Sequence, residues 1–235
     1  MGSFWDERAE EDAFFFVDSR QGYRHPDLES FWAEGKRDLD LLLSALGAEI
    51  RPSDRVVEIG CGVGRLTRVL SERASSVRAL DVSARMLELA KQHNAQLDNV
   101  EWLQGSGATL DGINSQSADA CVSHVVFQHI PDPEVTLAYV REIGRILVPG
   151  GWAAFQISND PRLHERKPAL YRLRQTLRAA LRRGPRGQQD PRWRGSMIEL
   201  DALRAAADDG SMDIERVVGE GTQYCVVLTH RRANF

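Results

Sequence analysis

The chain has 235 residues, a formal net charge of −4, 42% hydrophobic residues and 27% charged residues. These values are typical of one globular α/β domain over residues 1–235. They argue against a chain that binds nucleic acid through an overall positive charge. The three cysteines are far apart and form no C-x-x-C pair, which favours a reducing compartment over a disulfide framework. Because no signal peptide or long apolar run is visible, we expect a cytoplasmic chain without a membrane span, either a monomer or a homodimer.

The first segment, about 1–47, is predicted to form a lid beside the main part of the domain. It begins with acidic and aromatic residues, and Phe4, Trp5 and the Phe14–Phe16 run require burial. These rings either pack on the main domain or line a ligand pocket. From Leu28 to Leu46 apolar residues recur at helical spacing, and Gly47 is typical of a helix end.

An alternation of strands and helices follows. Predicted strands span 55–59, 77–81, 99–103, 118–123 and 152–157, and predicted helices span 66–73, 84–93 and 134–147. Because strands and helices alternate, we expect parallel strands joined by right-handed crossovers. Two further strands, Ile214–Val218 and Tyr224–Thr229, are predicted to close one edge of the sheet as an antiparallel hairpin.

A glycine-rich turn follows the first predicted strand, with glycine at alternate positions from Gly60 to Gly64. Glycine permits positive φ and lets a ligand approach the backbone, and the next helix begins with free N–H groups. Glu58 precedes the turn, where a carboxylate can meet an ammonium but repels pyrophosphate. Asp81 ends the next strand, where an acid can accept both ribose hydroxyls. This pair of carboxylates fits a cationic amino acid joined to a nucleoside better than a dinucleotide.

Four segments resemble the motifs of class I S-adenosylmethionine (SAM)-dependent methyltransferases. They are VVEIGCGVGRLTRVL, ALDVSARMLELAK, ADACVSHVVFQHIPDP and REIGRILVPGGWAAFQIS, and the match covers roughly residues 40–160. The resemblance implies an α/β fold with a Rossmann-like, seven-stranded, mostly parallel sheet, helices on both faces and an antiparallel closing hairpin at one edge. It also implies SAM as cofactor and S-adenosylhomocysteine as its product.

The resemblance also implies a set of cofactor-binding residues. The turn backbone would cradle SAM, Asp81 would bind the ribose, and Val82 and Met86 would contact the adenine. Family members often carry Gly-Asp after the third strand, where this chain has Gly105-Ser106-Gly107, so the adenine contact there differs. The full set is Glu58, Gly60, Cys61, Gly62, Gly64, Asp81, Val82, Met86, Ser106, Gly107 and Ser123.

Candidate bases follow the fourth and fifth strands, at the sheet edge where such folds bind ligands. In related small-molecule O-methyltransferases, a histidine in a segment like Gln128-His129-Ile130 often serves as base, so His129 is the first candidate and His124 the second. Asp160 can orient His129 and favour its protonated state. A packing role before Pro131 for His129, and a cofactor-pocket wall for His124, remain alternatives. No metal site is predicted, because no ligand spacing is present.

The predicted acceptor is a small molecule, most simply a hydroxyl of a sugar or other metabolite. No D/N-P-P-Y/F tetrapeptide, which suits methylation of exocyclic amines on bases, follows the fourth strand. Nucleic acid is therefore an unlikely substrate. This expectation about the acceptor rests on family analogy.

A basic insert, about 162–198, separates the fifth strand from the closing hairpin. Residues 162–194 contain eleven Lys or Arg against Glu165 and Asp190, a local net charge of +9. Leu170–Leu181 is predicted to be a helix with one leucine face. Two interpretations stay open: a solvated helix packed by its leucines, or recognition of an anionic acceptor such as a phosphorylated sugar or a lipid-linked glycan. In the second interpretation, Trp193 can stack on a sugar ring.

Two other functions compete with methyl transfer. A nicotinamide-dependent reductase would need G-x-G-x-x-G, but the third glycine here, Gly64, comes one position too early, and no catalytic Tyr/Lys pair is evident. A non-catalytic SAM-binding module predicts cofactor binding without turnover.

Overall fold

The computed structural model describes residues 1–165, 168–171 and 184–233. Seven strands form one sheet in the order β3-β2-β1-β4-β5-β7-β6. They are β1 (Arg55–Ile59), β2 (Ser76–Asp81), β3 (Val100–Gln104), β4 (Ala118–Ser123), β5 (Leu147–Ile157), β6 (Met212–Val218) and β7 (Cys225–Arg231). Strands β1 to β5 are parallel, whereas β7 runs antiparallel to both β5 and β6. The predicted fold class, including the antiparallel closing hairpin, is confirmed.

Helices connect these strands. They are α1 (Gly2–Val17), α2 (Leu28–Leu46), α3 (Arg65–Arg73), α4 (Ala84–His93), α5 (Pro133–Ile146), α6 (Pro161–His164), α7 (Pro191–Arg194) and α8 (Leu200–Asp209), with a 3-10 turn at Phe127–His129. The predicted bounds of α2 and α4 are reproduced, and those of α3 and α5 differ by one residue. Helices α1, α6, α7 and α8 were not predicted as helices. The helix predicted over Leu170–Leu181 lies largely outside the described residues.

Helices cover both faces of the sheet. Because successive side chains of a strand point to opposite sides, each central strand contributes to both of the resulting cores. On β1, Val57 and Ile59 join the core formed with α5 and α8, whereas Val56 joins the core formed with α2, α3 and α4. This two-sided burial explains the nearly continuous apolar runs of the central strands.

Local side-chain chemistry sets the start of the helices beside the ligand-binding edge. Ser83 caps α4, since its Oγ accepts a hydrogen bond from the Met86 N–H at 3.0 Å. Asp132 caps α5 through the Glu134 N–H at 3.0 Å, and Pro133 occupies the first helical position. These caps fix where the segments that follow β2 and β4 leave the sheet.

Helix α1 lies over the carboxyl edge of the sheet. Its aromatic side chains pack with Phe31 of α2, Met86 of α4 and Val63 of the glycine-rich turn. The helix is interrupted at Asp12, whose φ of −174° and ψ of 85° are not helical. Asp12 instead accepts a hydrogen bond from the Phe15 N–H at 3.2 Å and so restarts the helix. Of the helices in the described ranges, none has both the length and the apolar character needed to cross a membrane.

Candidate active site

A cavity, called the main cavity here, opens at the carboxyl ends of β1, β2 and β4. Its walls are the glycine-rich turn, the residues after β2 and β4, and helix α1. Helix α1 and the Met1 residue that precedes it contribute Met1, Trp5, Phe16 and Val17. The main cavity therefore lies where open α/β sheets bind ligands, and the N-terminal segment covers it.

Glu58 forms a buried acidic wall of the main cavity. It is the last residue but one of β1, is 4% exposed, and accepts a hydrogen bond from the Thr67 Oγ1 at 2.5 Å. Burial raises the pKa of Glu58 to about 7, and the charge of Asp81 adds to the rise, against the Thr67 hydrogen bond. An incoming cation would relieve this penalty.

Asp81 lies across the main cavity, at the end of β2. Its Oδ2 accepts from the Gly62 N–H at 2.8 Å, and its Oδ1 accepts from the Ser83 N–H at 2.9 Å. Burial raises the pKa of Asp81 in spite of these hydrogen bonds. Each carboxylate oxygen keeps a second lone pair, so the side chain can still accept from two ligand hydroxyls.

The turn between β1 and α3 needs glycine for two reasons. Gly60 and Gly62 have φ of 76° and 55°, in the left-handed region. A Cβ on Gly60 would lie 2.3 Å from Val126 Cγ2, and a Cβ on Gly62 would lie 2.7 Å from Val17 Cγ2. Glycine thus lets both the segment after β4 and the N-terminal segment approach the turn.

Of the other predicted cofactor residues, four line the main cavity and three do not. Cys61, Val82, Met86 and Gly107 line the main cavity. Burial raises the pKa of the Cys61 thiol far above its ordinary value. Cys61 therefore lines the main cavity as a protonated thiol and is not a nucleophile.

Three predicted cofactor residues do not line the main cavity. A Cβ on Gly64 would meet Asn94 and Trp102, because this residue starts α3 on the far side of the turn. Ser106 is exposed, and its hydroxyl bonds to Thr109 at 3.0 Å, while its neighbours Gly105 and Gly107 line the cavity. The Ser123 Oγ donates to the Ile59 carbonyl at 3.1 Å and joins β4 to β1.

Arg65 is a site residue that the sequence reasoning missed. It begins α3, is 4% exposed and lines the main cavity. Its guanidinium pairs with Asp38 at 2.6 Å and with Asp18 at 3.8 Å, but its Nε is buried and has no hydrogen-bond partner among the described residues. Position alone was the available signal, since Arg65 directly follows the glycine-rich turn.

His124 also lines the main cavity. Burial lowers its pKa to about 4, with the positive charge of Arg65 acting in the same direction. Within the described ranges, its buried Nδ1 has no hydrogen-bond partner. The next residue, Val125, has a φ of 58°, which is unusual for a β-branched residue and marks a constrained turn after β4.

His129 is held by hydrogen bonds on both ring nitrogens. Its Nδ1 lies 2.6 Å from the Trp193 carbonyl oxygen, and its Nε2 lies 3.2 Å from Gln128 Nε2. Because a carbonyl oxygen only accepts, Nδ1 carries the hydrogen and Nε2 carries the lone pair. Burial lowers the pKa of His129 to about 4, so the ring is neutral at physiological pH.

Asp160 does not hold the His129 imidazole as predicted. Its carboxylate accepts from Arg162 Nε and Nη2, both at 2.9 Å, and from the Arg162 backbone N–H at 3.0 Å. Asp160 therefore caps α6 and is neutralised by its own neighbour, and the backbone carbonyl of Trp193 takes the expected orienting role.

A second cavity adjoins the main one, and Phe16, Val17, Val125 and His129 line both. The residues that line only the second cavity are mainly amides, hydroxyls and aromatic rings. They include Gln128, Ser158, His164, Gln189, Trp193 and Tyr224. The shared wall makes it the natural place for a second substrate. In the parts of the chain that the structure describes, no cluster of His, Cys, Asp or Glu could hold a metal ion.

Three described arginines of the insert make side-chain contacts within the protein. Arg162 pairs with Asp160 at 2.9 Å, and Arg192 pairs with Asp190 at 2.7 Å and stacks on the Phe4 ring at 4.7 Å. Arg194 donates to the His164 carbonyl at 3.1 Å and lines the second cavity. These contacts tie the end of the insert to α1 and to the post-β5 segment.

Comparison with known proteins agrees with this geometry. A family model described as a methyltransferase domain matches residues 57–155. The chain is 28% identical over 167 residues to a ubiquinone biosynthesis O-methyltransferase of Nitrosospira multiformis, covering 70% of this chain and 64% of that protein. It is 27% identical over 107 residues to the protein of that name from Paracidovorax citrulli, covering 45% and 44%. The matches span about half to two thirds of these curated relatives.

Solved structures share the fold. A SAM-dependent methyltransferase of Methanosarcina mazei superposes with a TM-score of 0.55 at 19% identity, covering 79% of this chain and 95% of that one. Haemonchus contortus phosphoethanolamine N-methyltransferase 1, solved with phosphoethanolamine and S-adenosylhomocysteine, superposes with a TM-score of 0.68 at 16% identity, covering 99% and 48%. The family match over residues 57–155 and the curated relatives support a class I SAM-dependent methyltransferase domain in this part of the chain, whose cofactor is S-adenosylmethionine, and the solved structures share its fold.

Proposed function

We propose that this protein transfers the methyl group of SAM to a hydroxyl of a small molecule bound in the second cavity. The observation that carries the proposal is the charge pattern of the main cavity. Two carboxylates, those of Glu58 and Asp81, line one space together with Arg65, whose buried Nε–H has no hydrogen-bond partner among the described residues. That pattern complements a molecule with an ammonium, a carboxylate and a ribose.

The residues fit the cofactor of the family as follows. Glu58 would receive the ammonium, Arg65 the carboxylate, and Asp81 the ribose hydroxyls. Val82 and Met86 would pack against the adenine. When bound, SAM supplies an electrophilic methyl group on a sulfonium whose leaving group is a neutral thioether.

The protein's own contribution is to align the acceptor, exclude water and accept a proton. We propose that the N-terminal segment, about 1–47, is the lid that excludes water, since Met1 and Trp5 close the main cavity. His129 is the first candidate for the base: its ring is neutral, and the residue lines both cavities. In this role Nε2 exchanges its contact with Gln128 for the acceptor hydroxyl.

The acceptor side is proposed to include the insert, about 162–198, since Trp193 and Arg194 line the second cavity. Hydroxyl methylation is supported by the names of the curated relatives, which are O-methyltransferases. We propose a metabolite rather than nucleic acid as the acceptor, and no metal in the reaction. The three buried, unpaired cysteines suit a reducing compartment, so the cytoplasm is the proposed location. Residues 1–235 are proposed to act as one domain, in a monomer or a homodimer.

Methyl-tritiated SAM offered with a panel of phenols, catechols and methyl glycosides, each beside its amine analogue, tests the proposal. We expect label in a hydroxyl compound, and a loss of about 100-fold or more for His129→Gln with SAM binding retained. Label only in amines would refute hydroxyl transfer. SAM binding by calorimetry without any labelled product would instead favour the non-catalytic module.

A further inference from the structure

The short helix α7 holds two histidine rings in the same way. The carbonyl oxygens of Trp193 and Arg194, at its carboxyl end, lie 2.6 Å from the Nδ1 atoms of His129 and His164 respectively. Since both partners are carbonyl oxygens, both rings carry hydrogen on Nδ1 and a lone pair on Nε2. The sequence reasoning missed His164, because its place in an arginine-rich segment gave no sign of a fixed partner.

Helix α7 is itself firmly placed against the 3-10 turn after β4. A Cβ on Gly195 would lie only 1.7 Å from the Gln128 carbonyl oxygen, so this approach requires glycine. The Ser196 Oγ donates to the Ile130 carbonyl at 2.7 Å. The two carbonyls that orient the histidines are therefore fixed relative to the sheet edge.

The two rings differ in what faces the Nε2 lone pair. The Nε2 of His129 faces the amide nitrogen of Gln128 at 3.2 Å. Gln156 orients that amide, since its Nε2 donates to Gln128 Oε1 at 2.8 Å. An amide N–H does not give up its proton. For His164 it is the Ser158 hydroxyl at 2.7 Å, which must donate because Nε2 carries no hydrogen. A hydroxyl can pass its proton on and accept another.

Ser158 and His164 both belong to the wall of the second cavity. Ser158 directly follows β5, is fully buried, and is fixed by its carbonyl, which accepts from the Ile198 N–H at 2.9 Å. With its proton directed at His164, the Ser158 Oγ keeps lone pairs to accept a hydrogen bond from a ligand hydroxyl. Ser158 and His164 therefore line the proposed acceptor site.

We infer that Ser158 and His164 form a proton relay for the methyl acceptor. As the acceptor O–H bond breaks, its proton passes to Ser158 Oγ while the Ser158 proton passes to His164 Nε2. The acceptor oxygen forms a bond to the methyl carbon, the methyl–sulfur bond breaks, and its electron pair stays on sulfur. The His164 imidazolium, still bound to the Arg194 carbonyl, then releases one proton to water. This inference rests on the proposed hydroxyl methylation, and it gives the acceptor's single proton to Ser158 and His164 in place of His129, whose ring then positions the acceptor.

The hydrogen-bond pattern is tested first, without turnover. In histidine labelled with ¹⁵N, the full-length protein should show His164 with a protonated Nδ1 and an unprotonated, hydrogen-bonded Nε2, the signals being assigned by their loss in His164→Gln. Ser158→Ala should move the Nε2 signal of His164 and leave that of His129 in place. A proton on Nε2 of His164, or no response to Ser158→Ala, overturns the relay.

Turnover then separates proton transfer from packing. A hydroxyl acceptor identified by the labelled-SAM panel is compared with its thiol analogue (4-methylthiophenol for 4-methylphenol), because a thiol is more acidic than the matching hydroxyl and ionises without a base. We expect Ser158→Ala and His164→Gln to slow transfer to the hydroxyl by about 100-fold and to the thiol by less than about 3-fold. Equal losses on both acceptors contradict the relay. Because wild-type transfer is measured alongside, failure of hydroxyl methylation itself is seen separately.

Discussion

Ionisable side chains with little exposure to water line the proposed cofactor site. Glu58, near the end of β1, and Arg65, at the start of α3, are each 4% exposed, and Asp81, at the end of β2, is partly exposed. Withdrawing them is costly in the absence of a charged partner. In the proposed binding mode the SAM ammonium is the charged partner of Glu58, so part of the cost of burying this carboxylate is recovered on binding.

Glu58→Gln should weaken SAM binding by about 10- to 100-fold, since a hydrogen bond between two charged groups is lost. The wild-type affinity should rise with pH through about 7, because the pKa of Glu58 is raised to about 7 and only its ionised form attracts the ammonium. In the variant this rise should disappear. Calorimetry at pH 6 and pH 8 measures both effects, with Glu88→Gln on the outer side of α4 as the control. Equal pH dependence in the two proteins would remove Glu58 from the ammonium site.

The sequence was informative about residues whose role depends on local backbone. Gly60, Gly62 and Asp81 could be predicted because a turn with positive φ and a strand-end acid leave a pattern in the chain. The hydrogen-bond partners of His129 and Asp160 could not be predicted from the sequence. The first is a carbonyl 64 residues away, and the second is an arginine two residues away that competes for the carboxylate. Long-range carbonyls have no sequence signature.

Helix α1 is the element that the sequence described least well. Its aromatic residues signalled burial, but Asp12 breaks the helical spacing in the middle, so no single amphipathic pattern runs through it. By contrast, α2 and α4 each have an intact apolar face and a side-chain cap, and their bounds were predicted correctly. A helix whose packing partners come from three other segments is set by tertiary contacts, which periodicity does not record.

Asp6 fastens α1 to the start of α4, beside the proposed cofactor site. Its Oδ1 accepts from the Ser83 Oγ at 2.7 Å and from the Arg85 N–H at 3.1 Å, at the start of α4. The carboxylate thereby meets the positive end of the α4 dipole. The break at Asp12 gives the preceding residues a place to hinge.

Asp6→Asn should loosen this attachment and raise the dissociation rate of S-adenosylhomocysteine by about 3- to 10-fold, because about 1 kcal/mol of charge–dipole interaction is lost. Amide exchange of α1 should quicken, while exchange in β1 and β4 stays unchanged. Glu10→Gln, at an exposed position on the same helix, is the matched control. A variant that releases the product at the wild-type rate would show that α1 does not limit cofactor exit.

The chain as a whole balances opposite titrations in its active site. The pKa of Glu58 is raised from 4.5 to about 7, so the folded state binds its proton more tightly than the unfolded chain does. That stabilising contribution is full below pH 4.5 and is lost as pH rises through about 7. The pKa values of His124 and His129 are lowered from 6.5 to about 4, and their contribution is full above pH 6.5 and is lost as pH falls toward 4.

Between pH 6.5 and pH 4.5 the two effects therefore oppose each other within one cavity. Each group changes the free energy of unfolding by up to about 1.4 kcal/mol per pH unit. Glu58→Gln removes the gain on acidification, so its free energy of unfolding should fall with decreasing pH more steeply than that of the wild type, by about 1 kcal/mol per unit. His129→Gln removes a loss, so its curve should fall less steeply by a similar amount. Urea unfolding at three pH values in this range measures the slopes. Parallel curves for all three proteins would mean that these groups titrate alike in the folded and unfolded chains, and the charge pattern assigned to the cofactor site would lose its physical basis.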